Sequence, residues 1–305
     1  MGEDKYEKGF KGGGRSLVWS RNKANLYIQD ALNEFEPDFK HHCLSPPAQH
    51  RMYRQKLMLT HLVGFGGGAV SSSGTSYYMD SSNDYLSLAD NAAWRCGGDG
   101  DGNFTVDFWF KSASYAIEMA FGQIPDNNNF WIIAVDTDSG GSQYVFRVRS
   151  STVDEVNYVP ATFSQAIDTW YHFALIRGWG GNANDYMMTA DGVPMSAAHT
   201  DTFTIPDYAA PLRIGGETNQ SFYNGWIDEI RYSNNARWTA DFSASLPTVP
   251  YSDDANTLLL VHCNEPILSG TTGSGATFAD SSSNARTVTE QDGCIRSTAD
   301  FKFAD

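Results

Sequence analysis

The side chains best suited to do chemistry in this chain are aromatic rings that stand beside amides. Trp, Tyr and Phe make up 13% of the 305 residues. An exposed ring stacks against the apolar face of a sugar and binds a neutral saccharide without using charge. Trp179 lies in Gly178-Trp-Gly-Gly-Asn-Ala-Asn184, a polar loop too rich in glycine to bury an indole by itself, and Asn182 of that loop offers an amide to hydroxyl groups. Asn219, Tyr223 and Trp226 flank a second loop of the same character. These five residues are the candidate glycan contacts. The alternative is that the rings pack against the N-terminal arm or a neighbouring subunit. Trp109, Trp131 and Trp170 fall in strand patterns and read as core.

Catalytic groupings are harder to assemble. Retaining glycoside hydrolysis needs two carboxyl groups about 5–5.5 Å apart, yet no Glu-x-Asp-x-x-Glu arrangement is present. Asp154-Glu155 and Asp228-Glu229 are sequence neighbours, which an undistorted strand points to opposite faces. Serine-elbow, zinc-helix and phosphate-loop motifs are missing as well. His172 sits in an apolar run and reads as a core residue, while His41 and His42 adjoin Cys43 without further ligands at metal spacing. A non-enzymatic protein is expected. No cofactor is expected apart from a weak calcium candidate, because Asp99, Asp101 and Asn103 place oxygen donors at alternating positions. Asp, Gly and Asn also serve tight turns, so that loop has a purely structural reading too.

The elements that must position these residues are strands. Phe104, Val106, Phe108 and Phe110 alternate with Thr105, Asp107 and Lys111, as in a half-buried strand, and Trp109 is the exception. Residues 169–177 are almost continuously apolar, which predicts a central strand covered on both faces. Ile227 and Ile230 cannot share a face of a regular strand, so a bulge near Asp228-Glu229 is expected to bring both to the core. Turn signals recur at Ser82-Asn-Asp84, at residues 96–103, at Pro125-Asp-Asn-Asn-Asn129 and at Asp191-Gly192. Many short strands joined by Gly and Asn turns define a β-sandwich.

Composition narrows the class further. With 41% hydrophobic residues the chain can build one large core plus an extension. Its opening, Met-Gly-Glu-Asp-Lys, lacks a charged segment followed by an apolar run, and no stretch reaches the roughly 20 apolar residues of a membrane span. A soluble protein without an export signal is expected. Four scattered cysteines make neither a disulfide framework nor a zinc cluster; Cys263 and Cys294 could pair across a hairpin, but buried thiols are the default. Residues 1–67 carry ten Lys/Arg and seven Asp/Glu, whereas the remainder carries 11 and 29. A body near −18 repels phosphate backbones, which argues against nucleic acid as a partner.

The basic arm has its own pattern. Leu26, Ile28, Leu32 and Phe35 predict a short amphipathic helix, and a second run around Leu57 and Leu59 has more apolar surface than a free arm exposes. Gly64-Phe-Gly-Gly-Gly68 then forms a hinge. The arm either packs back on the body or docks on a partner, and the hinge and change of charge sign favour docking.

Phe222-Tyr-Asn-Gly-Trp-Ile-Asp-Glu-Ile-Arg-Tyr232 resembles the closing strand of laminin-G-like, concanavalin-A-like jelly-roll domains. The other elements of such a domain occur in order. Tyr77 to Leu88 looks like its opening hairpin, Phe104 to Phe110 and Thr169 to Arg177 like strands, and Ala190-Asp-Gly-Val193 and Leu212-Arg-Ile-Gly-Gly216 like later turns. The resemblance implies an all-β, concanavalin-A-like (laminin-G-like) jelly-roll β-sandwich over residues 68–250. A short helical N-terminal arm would precede it over 1–67, and a strand pair over 251–305 would complete the sandwich or contact a neighbour. Asn256 to Asn264 and Thr277 to Thr289 are similar to the strand pair that often precedes such domains in structural proteins of tailed phages, although here they follow it. That similarity implies a virion protein assembled in the host cytoplasm: a head decoration, head fibre or tail-fibre component. Its partners would be other virion proteins, further copies of itself and host surface polysaccharide. The alternative is a carbohydrate-binding lectin or adhesin module, and a glycoside hydrolase ranks below both.

Overall fold

The computed structural model describes residues 74–114, 119–136, 143–160, 163–216, 222–264, 278–291, 295–297 and 300–303. The proposed docking arm, with Leu26, Ile28, Leu32, Phe35, Leu57 and Leu59, lies outside the described residues, as do Asn219 and Cys294. Among the described residues no helix is long and apolar enough to cross a membrane.

The strands form two antiparallel sheets. The first contains β1 (Ser76–Asp80), β3 (Phe104–Ser112), β8 (Trp170–Arg177), β9 (Asp185–Ala190), β10 (Val193–Pro194), β11 (His199–Thr200), β13 (Asn224–Ser233), β14 (Thr257–Val261) and β17 (Ile295–Ser297). The second contains β2 (Tyr85–Leu88), β4 (Met119–Asp126), β5 (Asn129–Asp136), β6 (Gln143–Ser150), β7 (Val153–Tyr158), β12 (Leu212–Ile214), β15 (Phe278–Ala279) and β16 (Thr287–Gln291). One cluster of buried aromatic and aliphatic side chains fills the space between them, with Trp94, Phe121 and Trp131 grouped round Tyr232. Residues 257–297 supply strands to both sheets: β14 pairs with β13, β17 with β1 and β16 with β2.

Tyr77 to Leu88 is not a hairpin. β1 pairs with β13 in the first sheet, and β2 pairs with β12 in the second, so the loop between them crosses the sandwich. Both strands direct apolar residues, Tyr77 and Met79 from one sheet and Leu86 and Leu88 from the other, into the same core. Left-handed backbone at Ser81 and Asn83 makes the sharp crossing, and the Asp84 carboxylate accepts the Asp80 amide. Leu212–Ile214, expected as part of a turn, is strand β12 between β2 and β4.

β3 departs from the half-buried pattern, because all nine of its residues are buried. Its polar side is covered by a second layer outside the first sheet. Trp109, Tyr251 and Leu260 form one cluster there with Trp170 and Phe303; Ala174, Ile176 and Phe242 form another with Trp179 and Trp238. The exception at Trp109 thereby has its reason: it is core for this outer layer. β8 lies between β3 and β9 and is buried along most of its length, as its composition predicts.

Burial of polar β3 residues requires partners. Arg231 donates to both oxygens of Asp107, from Nε at 3.0 Å and Nη2 at 2.8 Å, and its guanidinium lies 4.1 Å from the centre of the Tyr251 ring. Lys111 reaches Asp300 at 2.8 Å. Removing one member of a fully buried pair strands the other charge, so Arg231→Met is expected to lower stability by about 3–5 kcal/mol. Lys111→Met, whose partner is partly exposed, is expected to cost about 0–1 kcal/mol. Urea unfolding of the two variants measures the difference.

Candidate functional site

The bulge expected in β13 is present and gathers the densest group of titratable side chains. Asp228 opposes Trp109 and Arg231 opposes Asp107, so two residues of β13 face the single Phe108 of β3. Glu229 takes a left-handed φ of 51°, and Ile227 and Ile230 both reach the core. The distortion overturns the expectation that Asp228 and Glu229 point to opposite faces, since both carboxylates end in the outer layer. Asp228 accepts the amides of Glu229 at 2.9 Å and Lys302 at 2.8 Å. Glu229 accepts the Tyr251 amide at 2.7 Å and meets His262 Nδ1 at 2.9 Å. His172 binds the Tyr251 hydroxyl at 2.9 Å and lies 3.5 Å from Asp107, which agrees with its reading as a core residue.

The environments of these acids push them apart. Burial, with the Glu229 charge adding to it, drives Asp228 up to about 8, against the pull of the Lys302 amide. Burial works the same way on Asp107, but the adjacent Arg231 outweighs it and holds Asp107 at about 2. Such a split is what acid–base catalysis uses. Here it is enclosed: Asp107, His172, Asp228 and Glu229 are all fully buried. They lie under Tyr251, Trp109, Lys302 and Phe303, and their oxygens bind backbone amides and buried side chains.

Among the described residues, the sequence candidates for glycan contact, Trp179 and Asn182 on one side and Tyr223 and Trp226 on the other, lie toward opposite ends of the first sheet. Tyr223 is buried, its hydroxyl 3.1 Å from Ser112, so its ring is no surface platform. Trp226 is half-buried, with the Tyr78 ring centre 5.0 Å away and Lys111 Nζ 4.8 Å from its own. Trp179 begins a short 3-10 turn, and its ring packs with Trp238 and Phe242 on the outer layer, against the expectation of an unsupported loop. Asn182 is exposed and donates to Asp185 at 2.9 Å. In the calcium candidate, Asp99 uses Oδ1 to accept the amides of Asp101 and Gly102, closing a turn, while Asn103 packs beside Gly178. Gly100 of this loop has a φ of +87°, and a Cβ there would come within 2.1 Å of the Ile205 carbonyl. Among the described residues no group of three or more His, Cys, Asp or Glu side chains is arranged to hold a metal.

A different surface is more accessible. The outward side chains of the second sheet form a row across six strand pairings: Thr289, Ser87, Arg213, Gly122, Ile132, Arg147 and Asn157. Their neighbours along each strand point inward and are buried, as strand alternation requires. In the row itself Thr289 and Asn157 are exposed, and Ser87, Arg213, Ile132 and Arg147 are partly so. Gly122 carries no side chain, and its backbone lies so near β5 that a Cβ would fall 2.1 Å from the Trp131 carbonyl. Arg213 lies over the Tyr85 ring and Arg149 over Phe130. Sequence reasoning missed this face. Its signal was arginine alternating with apolar residues, in Leu212-Arg-Ile214 and Phe146-Arg-Val-Arg149, within an acidic body.

Two antiparallel sheets stacked face to face, with one outer face covered and the other accessible, define a jelly-roll sandwich. The profile of the concanavalin A-like lectin/glucanases superfamily, in its laminin-G-type form, matches residues 80–241, and the chain belongs to that family. A crystal structure of a protein from Bacteroides ovatus, described only provisionally as carbohydrate-binding, aligns with 76% of this chain at 15% identity and a TM-score of 0.54. The alignment spans 61% of the Bacteroides chain. A heptameric pentraxin from Limulus polyphemus covers 75% of this chain and 96% of its own at 14% identity and a TM-score of 0.46. Domains LG4-5 of the mouse laminin α1 chain cover 55% of this chain and 44% of their own at 12% identity and a TM-score of 0.39. Comparison with curated protein sequences returns no significant match.

Asp228 is raised from 3.8 to about 8 in the fold, so the folded state holds a proton that the unfolded chain releases. Its contribution therefore weakens the protein as pH rises from about 4 to 8, and Asp228→Asn should flatten that part of the profile. Asp107 is lowered to about 2, so its contribution is present above 3.8 and is lost as pH falls through about 2. Urea unfolding of wild type, Asp228→Asn and Asp107→Asn between pH 2 and 9 should give differences of opposite slope. Trp179→Ala should cost about 2 kcal/mol, below the roughly 3–5 kcal/mol of the fully buried Trp131→Ala, since only part of the Trp179 ring leaves water.

Proposed function

We propose that the chain is a non-catalytic carbohydrate-binding module whose ligand lies on the outer face of the second sheet. The observation that carries this reading is the contrast between the two outer faces. Tyr251, Trp238, Phe242 and Phe303 cover the first sheet, whereas the second presents a transverse row of partly exposed polar side chains around Ile132 and Gly122. Hydroxyl, amide and guanidinium groups at strand spacing can bond sugar hydroxyls, and the small residues between them admit a ring to the sheet. Membership of a superfamily named for lectins and glucanases supports a saccharide ligand, as does the description of the Bacteroides structure.

The non-catalytic part rests on the carboxylates. Asp228, Glu229 and Asp107, the acids with the most perturbed or most enclosed settings, have no exposed surface from which to reach a glycosidic bond. On the second sheet Asp154 is hydrogen-bonded to Arg149, and its pKa is lowered by that bond. The virion reading drew on the similarity of the C-terminal strand pair, whose position after the domain departs from the phage pattern, and neither the family match nor the structural neighbours support it. The carbohydrate-binding alternative is the better supported.

A glycan array probed with the full chain, together with an assay of reducing ends on the glycans that bind, tests the proposal. Binding without release of reducing ends is expected. Release that disappears in a single carboxylate variant would overturn the non-catalytic reading, and a blank array would overturn glycan binding.

A further inference from the structure

We infer that the ligand of the second sheet is a saccharide that carries a carboxylate, its acid group held by Arg213 and its chain directed along the row toward Arg147. The inference rests on the carbohydrate-binding reading and specifies its ligand.

Residues 68–305 carry 29 acidic and 11 basic side chains, an excess that offers most arginines a carboxylate. Arg231 pairs with Asp107, Arg237 with Asp254, Arg286 with Asp280 and Arg149 with Asp154. Arg177 and Arg95 bind backbone carbonyls. Arg213 is different: it stands on a central strand, and among the described residues its side chain has no ion pair and no hydrogen bond. Its guanidinium lies 5.1 Å from the Tyr85 ring centre, and its Nη1 is buried without an acceptor.

A guanidinium presents fixed, parallel donors that match the two oxygens of a carboxylate, and Arg213 is only half-buried, so the part of its fork that meets solvent is open to such a group. The Tyr85 ring holds the fork against the sheet and reduces its freedom before any ligand arrives. Arg147 repeats part of the arrangement on β6. Its Nε is buried without a hydrogen bond, and its nearest carboxylate is Asp154 at 3.9 Å. Three strand spacings separate the two arginines, about 14 Å, with Gly122 and Ile132 between them. A neutral sugar satisfies the hydroxyl-bonding groups of the row but leaves Arg213 without a counter-charge. A uronic or sialic acid residue supplies both.

The test uses the full chain and titration calorimetry. Polygalacturonate, hyaluronate and sialyllactose are each paired with the same saccharide after methyl esterification of its carboxylates, which removes charge and keeps the hydroxyls. At least one acid form is expected to bind at least tenfold more tightly than its ester and to weaken as salt rises. Arg213→Met should lower affinity for that acid form at least tenfold and leave the ester unchanged; Arg213→Lys, which keeps the charge and loses the fork, should recover part of the loss. Lys302→Met, which removes a positive charge from the outer layer of the first sheet, should change affinity less than twofold. Comparison of acid and ester on wild type needs no variant, so a misfolded Arg213→Met leaves the inference exposed to refutation. Equal affinity for acids and esters, or binding of neutral glycans alone, would overturn acid recognition and leave the carbohydrate-binding reading in place. Absence of binding to any saccharide would overturn both.

Discussion

Ile227 and Ile230 must reach the same core although they stand three residues apart in one strand, and most of the first sheet follows from that constraint. The strand meets it with an extra residue and a left-handed glutamate, a conformation that carries a backbone cost of order 1–3 kcal/mol. The bulge also divides the edge of β13. Residues before it pair with β1, and residues after it pair with β14. Two adjacent carboxylates are turned outward at the fork, and Arg231 is brought opposite Asp107. Burial of those groups is tolerated only because Tyr251, His262 and the Lys302 amide meet their oxygens. Packing in the sandwich and the polar chemistry outside it thus share one cause.

The two outer faces then take different roles. On the first sheet, charged groups are enclosed by aromatic rings, and the perturbed acids become a matter of stability: Asp107 ionised by its arginine, Asp228 kept protonated by burial. On the second sheet the outward row mixes polar and cationic side chains with Ile132, and all of its residues but Gly122 keep contact with solvent. Perturbed titration alone would direct attention to the covered face. Exposure and unmet hydrogen-bonding capacity distinguish a group that could meet a ligand from one that the fold itself consumes.

Local pattern was a reliable guide wherever a residue's neighbours in sequence were also its neighbours in energy. Alternation placed Phe104, Val106, Phe108 and Phe110 inward, continuous apolar character made residues 170–177 a central strand, and the broken alternation at Ile227 and Ile230 located the bulge. Reasoning failed where distant segments intervened. Lys111 and Asp107 looked solvent-facing because nothing nearby announces that Tyr251 and residues 300–303 return to cover them. Tyr223 and Trp179 looked like platforms because a loop's composition does not reveal what it packs against.

By itself the sequence determined the class of fold and the inward residues of β3 and β13, because side-chain alternation and turn chemistry act over a few residues. Its superfamily could be recognised for the same reason, since the motif order is written in those short segments. The tertiary structure decided which sheet each strand joins, that β1 and β2 cross the sandwich instead of forming a hairpin, and which outer face is covered. It also decided the candidate site. Ser87, Arg213, Ile132 and Arg147 come from four strands scattered over more than a hundred residues, and only inter-strand register sets them in one row. Register is fixed by pairing between distant segments, and a side chain's exposure by whatever else the chain lays over it; neither quantity is local.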